Sequence, residues 1–332
     1  MEKMRNRIIE QPVEVIPRFK EVIWGRTSLI EGIFPISSNV KVPKDIGEIW
    51  LASAHKNGDS VLVGSEGSRW LLSNFWRNFP DFFGNCPTAA YPFVTKILLA
   101  GKDLSVQVHP DDDYANLVLG EPFGKDECWL FLKAPDERQV ILGHRAADKK
   151  EFANCVLRRN WKDLFVWLNV KKGNYVYISA GTVHGLTKGS VVIEVQQNSD
   201  TTFRLYDYDR LDKDGNPRDL HLSQSIDVVS FKPLDMVDSD WTKKRKRIQF
   251  QTDKRKFSFE ILNLTSSKPF SLEFFSSAYW LQLTVLSGSL TVSGRKEIIA
   301  GKTFLIPNSM LEVGNFLLGT AQVLCVFLNV FV

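Results

Sequence analysis

The chain has no apolar run approaching the about 20 residues needed to cross a bilayer, and its start, MEKMRNRIIEQPVEV, lacks the apolar core of a secretory signal. A soluble cytoplasmic protein with no membrane partner is the expectation. Cysteine is scarce and scattered. Cys86, Cys128, Cys155 and Cys325 form no CxxC pair and read as buried free thiols in a reducing compartment. Charge of one sign is also missing: a net +4 over 332 residues carries no nucleic-acid footprint, though it tolerates a small anionic substrate. The one basic run, Lys243 to Arg247, lies beside Asp235, Asp238 and Asp240 and reads as a solvated surface. Histidine is limited to five residues, the last being His221.

What is present is globular. The chain is 44% hydrophobic and 24% charged, which excludes a disordered or fibrous protein, and its length exceeds one ordinary core and calls for two domains.

The most informative stretch runs from Leu104 to Trp129, LSVQVHPDDDYA followed by GKDECW. Alternate residues of a strand share a face, so Gln107 and His109 point together while Val106 and Val108 enter apolar packing. Pro110 stops the strand, DDDYA opens a loop with a helical turn, and Glu127 starts a new apolar run. In KKGNYVYISAGTVHGL, a strand, a glycine turn and a second strand present His184. Gln, His, Glu and His gathered from several strands of one sheet suit a divalent metal that takes nitrogen and oxygen donors.

Elsewhere, LLSNFWRNFPDFFG has helical spacing and reads as a surface helix capped by Gly84. Asp148 and Glu151 make a capping-box start for a helix with Phe152, Val156 and Leu157 on its apolar stripe, and a short turn follows from Trp161 to Phe165. From Val166 to Tyr208 strands alternate with KKG, SAG, TKG and QNSD turns, the rhythm of an antiparallel barrel or sandwich. A charged, strand-poor stretch, DMVDSDWTKKRKRIQFQTDKRK, separates this block from a final set of strands ending in VLCVFLNVFV. The expected fold is mainly β: two antiparallel β-barrel domains, residues 1–235 with a helical insertion at about 146–166, and residues 236–332.

Residues 173–184 follow the second cupin motif with Gly173, Gly181 and His184, although Ser179 replaces its proline and Lys188 an asparagine. Gly101, Gln107 and His109 fit the start of the first motif. More specifically, LSVQVHPDDDYA, GKDECW, SAGTVHGL and VVIEVQQNSDTTFRLYDYDR, with FKEVIWGRTSL and GEIWLASAH upstream, resemble the type I mannose-6-phosphate isomerases, particularly their shorter bacterial form. The likeness covers residues from about 17 to 225; beyond Phe231 it is to a generic cupin.

The resemblance implies an enzyme that interconverts mannose 6-phosphate and fructose 6-phosphate with one bound zinc per chain. The implied ligands are Gln107, His109, Glu127 and His184, Gln107 being the weakest donor. The family's active-site arginine falls on Arg204 and its lysine on Lys125, with Asp126 in place of a proline usually found between that lysine and the glutamate. Such an isomerisation moves a proton between adjacent carbons through an enediolate and needs a base, a Lewis acid or cation, and exclusion of water. Thr202, Arg204, Tyr206 and Tyr208 share a strand face, which would aim Arg204 into a polar interior, and Lys125 would bind phosphate or move a proton. Glu194 and Gln196 have the parity of the barrel interior, while His55 would line the entrance and His144 and His221 would be ordinary hydrogen-bonded residues. An alternative is a cupin that keeps its metal but acts as a sugar-binding or regulatory protein, or as an iron or manganese oxygenase. A monomer or weak homodimer is expected.

In the C-terminal part, Gly301 and Pro307 repeat the second motif, but Ser309 stands where glycine would be and Glu312 where histidine would be, so the resemblance implies two cupin (jelly-roll β-barrel) domains, the second, residues 236–332, without metal.

Overall fold

The computed structural model describes residues 10–36, 42–212, 214–232, 247–251, 256–295, 297–312 and 314–329. The basic run lies outside these residues except for Arg247, whose backbone opens a strand. The fold is mainly β, with every strand pairing antiparallel. A five-stranded sheet orders Phe165–Asn169, Gln139–His144, His184–Gly185, Val106–Val108 and Phe203–Tyr206. A six-stranded sheet orders Tyr175–Ile178, Glu127–Lys133, Val191–Gln197, Phe93–Leu99, Ile46–Ala52 and Arg18–Glu21. A ten-stranded sheet holds the C-terminal strands and also takes in Val13–Ile16, which pairs with Thr303–Ile306, together with Val61–Val63 and Arg69–Leu71.

The burial pattern explains these layers. Val191–Gln197 and Phe93–Leu99 are buried at every position, as strands covered on both faces must be. One face meets the five-stranded sheet over a core including Trp129, Phe131, Leu98, Leu142 and Leu186. The other face, with Ile97, Leu130, Ile193 and Val195, packs on Phe259, Trp280, Leu305 and Val326 of the C-terminal strands. The outer face of the five-stranded sheet, Val106, Ile141 and Leu205, is covered by Phe152, Val156 and Leu164 from two helices. A fourth core, with Leu262, Leu281, Leu283, Val285, Val323 and Phe327, lies among the C-terminal strands.

Several local expectations hold. Asp148 caps the helix Lys149–Leu157, its carboxylate accepting the Glu151 N–H at 2.8 Å, and Trp161–Leu164 forms the following turn. Three readings need correction. The segment expected as a surface helix is a helix, Leu72–Asn78, and a separate 3-10 turn, Pro80–Phe83. Its Phe75, Phe82 and Phe83 are fully buried, because their rings join Tyr91, Phe93 and Trp280 where the sheets meet. Leu157 is exposed at the end of its helix rather than on the apolar stripe. The strand-poor stretch contains a strand, Arg247–Gln251, which pairs with Ser258–Leu264. A further helix, Leu222–Val228, went unread because its apolar residues are few. The cysteines are free, Cys128 and Cys325 buried and Cys86 and Cys155 half-buried. No helix among the described residues is long and apolar enough to cross a membrane.

Candidate active site

Two rows of side chains face each other across the space between the five- and six-stranded sheets. Residues paired across antiparallel strands share a face. In the five-stranded sheet the register runs Arg204 beside Gln107, Gln107 beside His184, and His184 beside Leu142. In the six-stranded sheet it runs Trp50, Lys96, Glu194 and Trp129, with Glu127 two residues before Trp129 and so on the same face. The Trp129 and His184 rings, 5.6 Å apart, join the rows.

His109, Glu127 and His184 are buried, and one ligand atom from each lies within 4.8 Å of the others. Their protonation is set by what surrounds them. The His109 Nδ1–H donates to the Thr201 carbonyl at 2.9 Å and the His184 Nδ1–H to the Thr182 carbonyl at 2.8 Å. Each bond leaves the Nε2 lone pair directed at Glu127, 3.4 Å from Oε2 for His109 and 3.3 Å from Oε1 for His184. This is the tautomer and orientation that a metal-binding imidazole needs. Burial, reinforced by the Lys125 ammonium, pushes His109 down to about 3, and burial also lowers His184. Burial would raise the Glu127 carboxyl, but the adjacent Lys125 ammonium outweighs it and holds the group well below the usual carboxylate range. The set is therefore two neutral imidazoles and a carboxylate. Among the described residues Glu127 Oε1 has no hydrogen-bond donor, while Oε2 meets the Lys125 ammonium at 3.0 Å, so one oxygen of this buried anion is left unsatisfied, which is costly unless a further cation binds it. These three residues fit a divalent metal. The Gln107 Nε2 lies 3.2 Å from the His184 Nε2, and a half-turn of the amide would set its carbonyl oxygen there instead.

Lys125 is buried, its Nζ 3.0 Å from Glu127 Oε2 and 3.1 Å from His109 Nε2. Arg204 reaches the site by register. Its backbone is clasped by His221, which donates its N–H to the Arg204 carbonyl at 2.8 Å and accepts the Arg204 N–H on Nδ1 at 3.1 Å. The guanidinium Nη1 donates to the Asp219 carbonyl at 2.7 Å, while the buried Nε has no hydrogen-bond partner among the described residues. His221 is a hydrogen-bonded residue, as expected, and the backbone it holds is that of Arg204. His55 is half-buried near Trp50, ring centroids 6.3 Å apart, and the His144 Nε2–H donates to the Ser230 carbonyl at 3.0 Å.

Glu194 accepts the Trp129 indole N–H at 2.9 Å and pairs with Lys96 at 2.8 Å. Burial and the nearby Glu127 raise the Glu194 carboxyl. Lys96 also stands 3.8 Å from Glu48, which accepts the Trp50 indole N–H at 2.6 Å. Lys20 lies over the Trp50 ring at 3.6 Å and 3.8 Å from Asp200. Lys96, Glu48 and Asp200 escaped the sequence reading. A signal existed for one: Lys96 interrupts the apolar run of YPFVTKILLA, and lysine is rarely buried without a partner.

Residues 13–138 match the phosphomannose isomerase type I catalytic domain. The chain is 42% identical over 219 residues to mannose-6-phosphate isomerase ManA of Bacillus subtilis, covering 66% of this chain and 68% of that protein. It is 38% identical over 221 residues to mannose-6-phosphate isomerase of Streptococcus mutans, covering 66% and 68%. Among solved structures, the mannose 6-phosphate isomerase from Bacillus subtilis superposes with a TM-score of 0.83 at 30% identity, over 95% of this chain and 99% of that one. A variant of phosphomannose isomerase from Salmonella typhimurium shares the fold, with a TM-score of 0.76 at 14% identity over 96% of this chain and 100% of that one. The chain belongs to the type I phosphomannose isomerase family.

Proposed function

We propose that this isomerase interconverts mannose 6-phosphate and fructose 6-phosphate through an enediolate, with one zinc held by His109, Glu127, His184 and the Gln107 amide oxygen. The observation that carries the reading is the buried His–Glu–His set, in which Glu127 Oε1 has no hydrogen-bond donor among the described residues and the imidazoles are kept neutral by burial and oriented by backbone carbonyls. When bound, zinc supplies a Lewis acid that polarises the substrate's oxygens. The chain's own groups do the rest. Arg204, held by His221 and Asp219, presents a fixed cation to the phosphate or to developing negative charge. Lys125 adds a second cation close to the metal set and stabilises an oxyanion as it forms. Burial of the walls excludes water, which strengthens each of these interactions.

The test is a coupled assay of fructose 6-phosphate formation, with and without chelator, together with isomerisation in deuterated water. Activity that disappears on chelation, returns with zinc and places some solvent deuterium on the accepting carbon supports the scheme. Full turnover by metal-free protein would overturn it.

A further inference from the structure

The start of the strand Glu127–Lys133 carries its side chains to two opposite sides. Lys125 and Glu127 face the metal set, while Asp126 between them faces away. Its carboxylate accepts the Ala180 N–H at 2.8 Å and the Tyr177 hydroxyl, and so ties down the turn that leads to His184. Its backbone N–H donates to Gln197 Oε1 at 2.9 Å. Into this knot enters one cation from the C-terminal part of the chain. Lys256 is buried, with Nζ 3.2 Å from Asp126 Oδ1, 3.3 Å from Asp112 Oδ2 and 2.9 Å from Gln197 Oε1.

Asp112 and Gln197 extend the connection. Asp112 Oδ1 accepts the Gly124 N–H and the Gln197 side-chain amide, both at 2.8 Å. Gly124 has to be glycine, because a Cβ there would lie 2.3 Å from the Asp111 backbone, and this close approach delivers Lys125 to the site. Burial would raise the Asp112 carboxyl, but Lys256 and the hydrogen bonds from Gln197 and Gly124 outweigh it. Lys256 therefore bridges three segments that end in site residues: the HPDD loop after His109, the approach to Lys125 and Glu127, and the turn before His184.

We propose that Lys256 is a positioning residue, through which the C-terminal part of the chain aligns Lys125, Glu127 and His184. An arrangement in which the buried Asp126 carboxylate, the half-exposed Asp112 carboxylate and an amide converge on one buried ammonium is stiff, because removing the cation leaves the buried Asp126 without its counter-charge. It also gives Asp126, which stands where the resemblance leads one to expect proline, a physical partner. The inference rests on the proposed zinc site, but its readout does not depend on which sugar phosphate is turned over.

The experiment compares zinc affinity, by competition with a chromogenic chelator, and kcat and KM for mannose 6-phosphate in Lys256→Gln, Lys256→Arg and a control, Lys302→Gln. The control breaks another ion pair between the two ends of the chain, Lys302 with Glu14, which shares no partner with Lys256. Lys256→Gln should bind zinc about tenfold more weakly and lose kcat, as changes in outer-shell support do. Lys256→Arg should recover most of both, and Lys302→Gln should change neither. If Lys256→Gln is insoluble, Lys256→Met, which keeps the length of the side chain without its charge, is measured in its place and read by the same two outcomes. Parent-like zinc affinity and kcat in the soluble Lys256 variant, whatever its melting temperature, would overturn it. A parent that binds zinc but does not isomerise would instead remove the functional reading and leave this one standing.

Discussion

The space between the five- and six-stranded sheets and the interior of the C-terminal strands are both walled by antiparallel β structure, yet they are furnished differently. The first holds His109, Lys125, Glu127, His184, Lys96 and Glu194 in buried contact. The second is filled by Leu262, Leu281, Leu283, Val285, Val323 and Phe327. Its counterpart to a metal ligand, Glu312, is exposed, and no histidine follows His221. The same strand geometry thus makes a site or a packed core, depending on which side chains occupy the inward positions. The two regions remain coupled, because the outer face of the six-stranded sheet is buried against the C-terminal strands and Gln282 donates to Thr95, next to Lys96, at 2.7 Å.

The sharpest way to break the comparison is to disable one region and not the other. His184→Ala should lose its zinc by elemental analysis and at least about a thousandfold of turnover, whereas Glu312→Ala should keep both. A metal that follows Glu312 would reverse the assignment. Next, Arg204→Lys should fold with an unchanged melting temperature but lose on the order of a hundredfold or more in kcat, since an ammonium cannot reproduce the planar guanidinium. Wild-type rates would return Arg204 to a structural role.

Stability should respond most at the junction. Trp280 is fully buried and stacks on Phe93 with centroids 5.4 Å apart, so Trp280→Ala should cost about 3–5 kcal/mol in denaturant unfolding. A cost below about 1 kcal/mol would mean that the two regions are held together elsewhere.

The smallest effect expected is with pH. Burial lowers His109 to about 3 and lowers His184 and His221 from an ordinary 6.5. The unfolded chain then binds protons that the folded chain refuses, so metal-free protein should lose stability as pH falls from 6.5 toward about 3. The depressed Glu127 acts in the same direction, its contribution being lost as acid protonates it. Hydrogen exchange at mildly acidic pH should therefore loosen Val106–Val108 before Ala278–Val292. Simultaneous loosening would show that the histidines do not set the acid response.

Much of this was legible in order along the chain. Strand alternation placed Gln107 and His109 on one face, glycine punctuation marked the turn before His184, and the cap at Asp148 announced its helix. These are local properties, fixed by the two-residue period of a strand and by the backbone groups a helix start leaves unpaired. Tertiary structure decided which faces meet. Periodicity correctly found helical spacing in LLSNFWRN but could not show that its rings are buried under Trp280, since burial depends on the partner layer. His221 was an ordinary histidine until the register set it against Arg204, 17 residues away. Lys256, within a charged stretch, found Asp126 and Asp112 across more than a hundred residues of chain. Composition along the sequence determined the strands and the donors available to a metal; only long-range packing, which orders residues by their distance in space, selected which charges would be buried together.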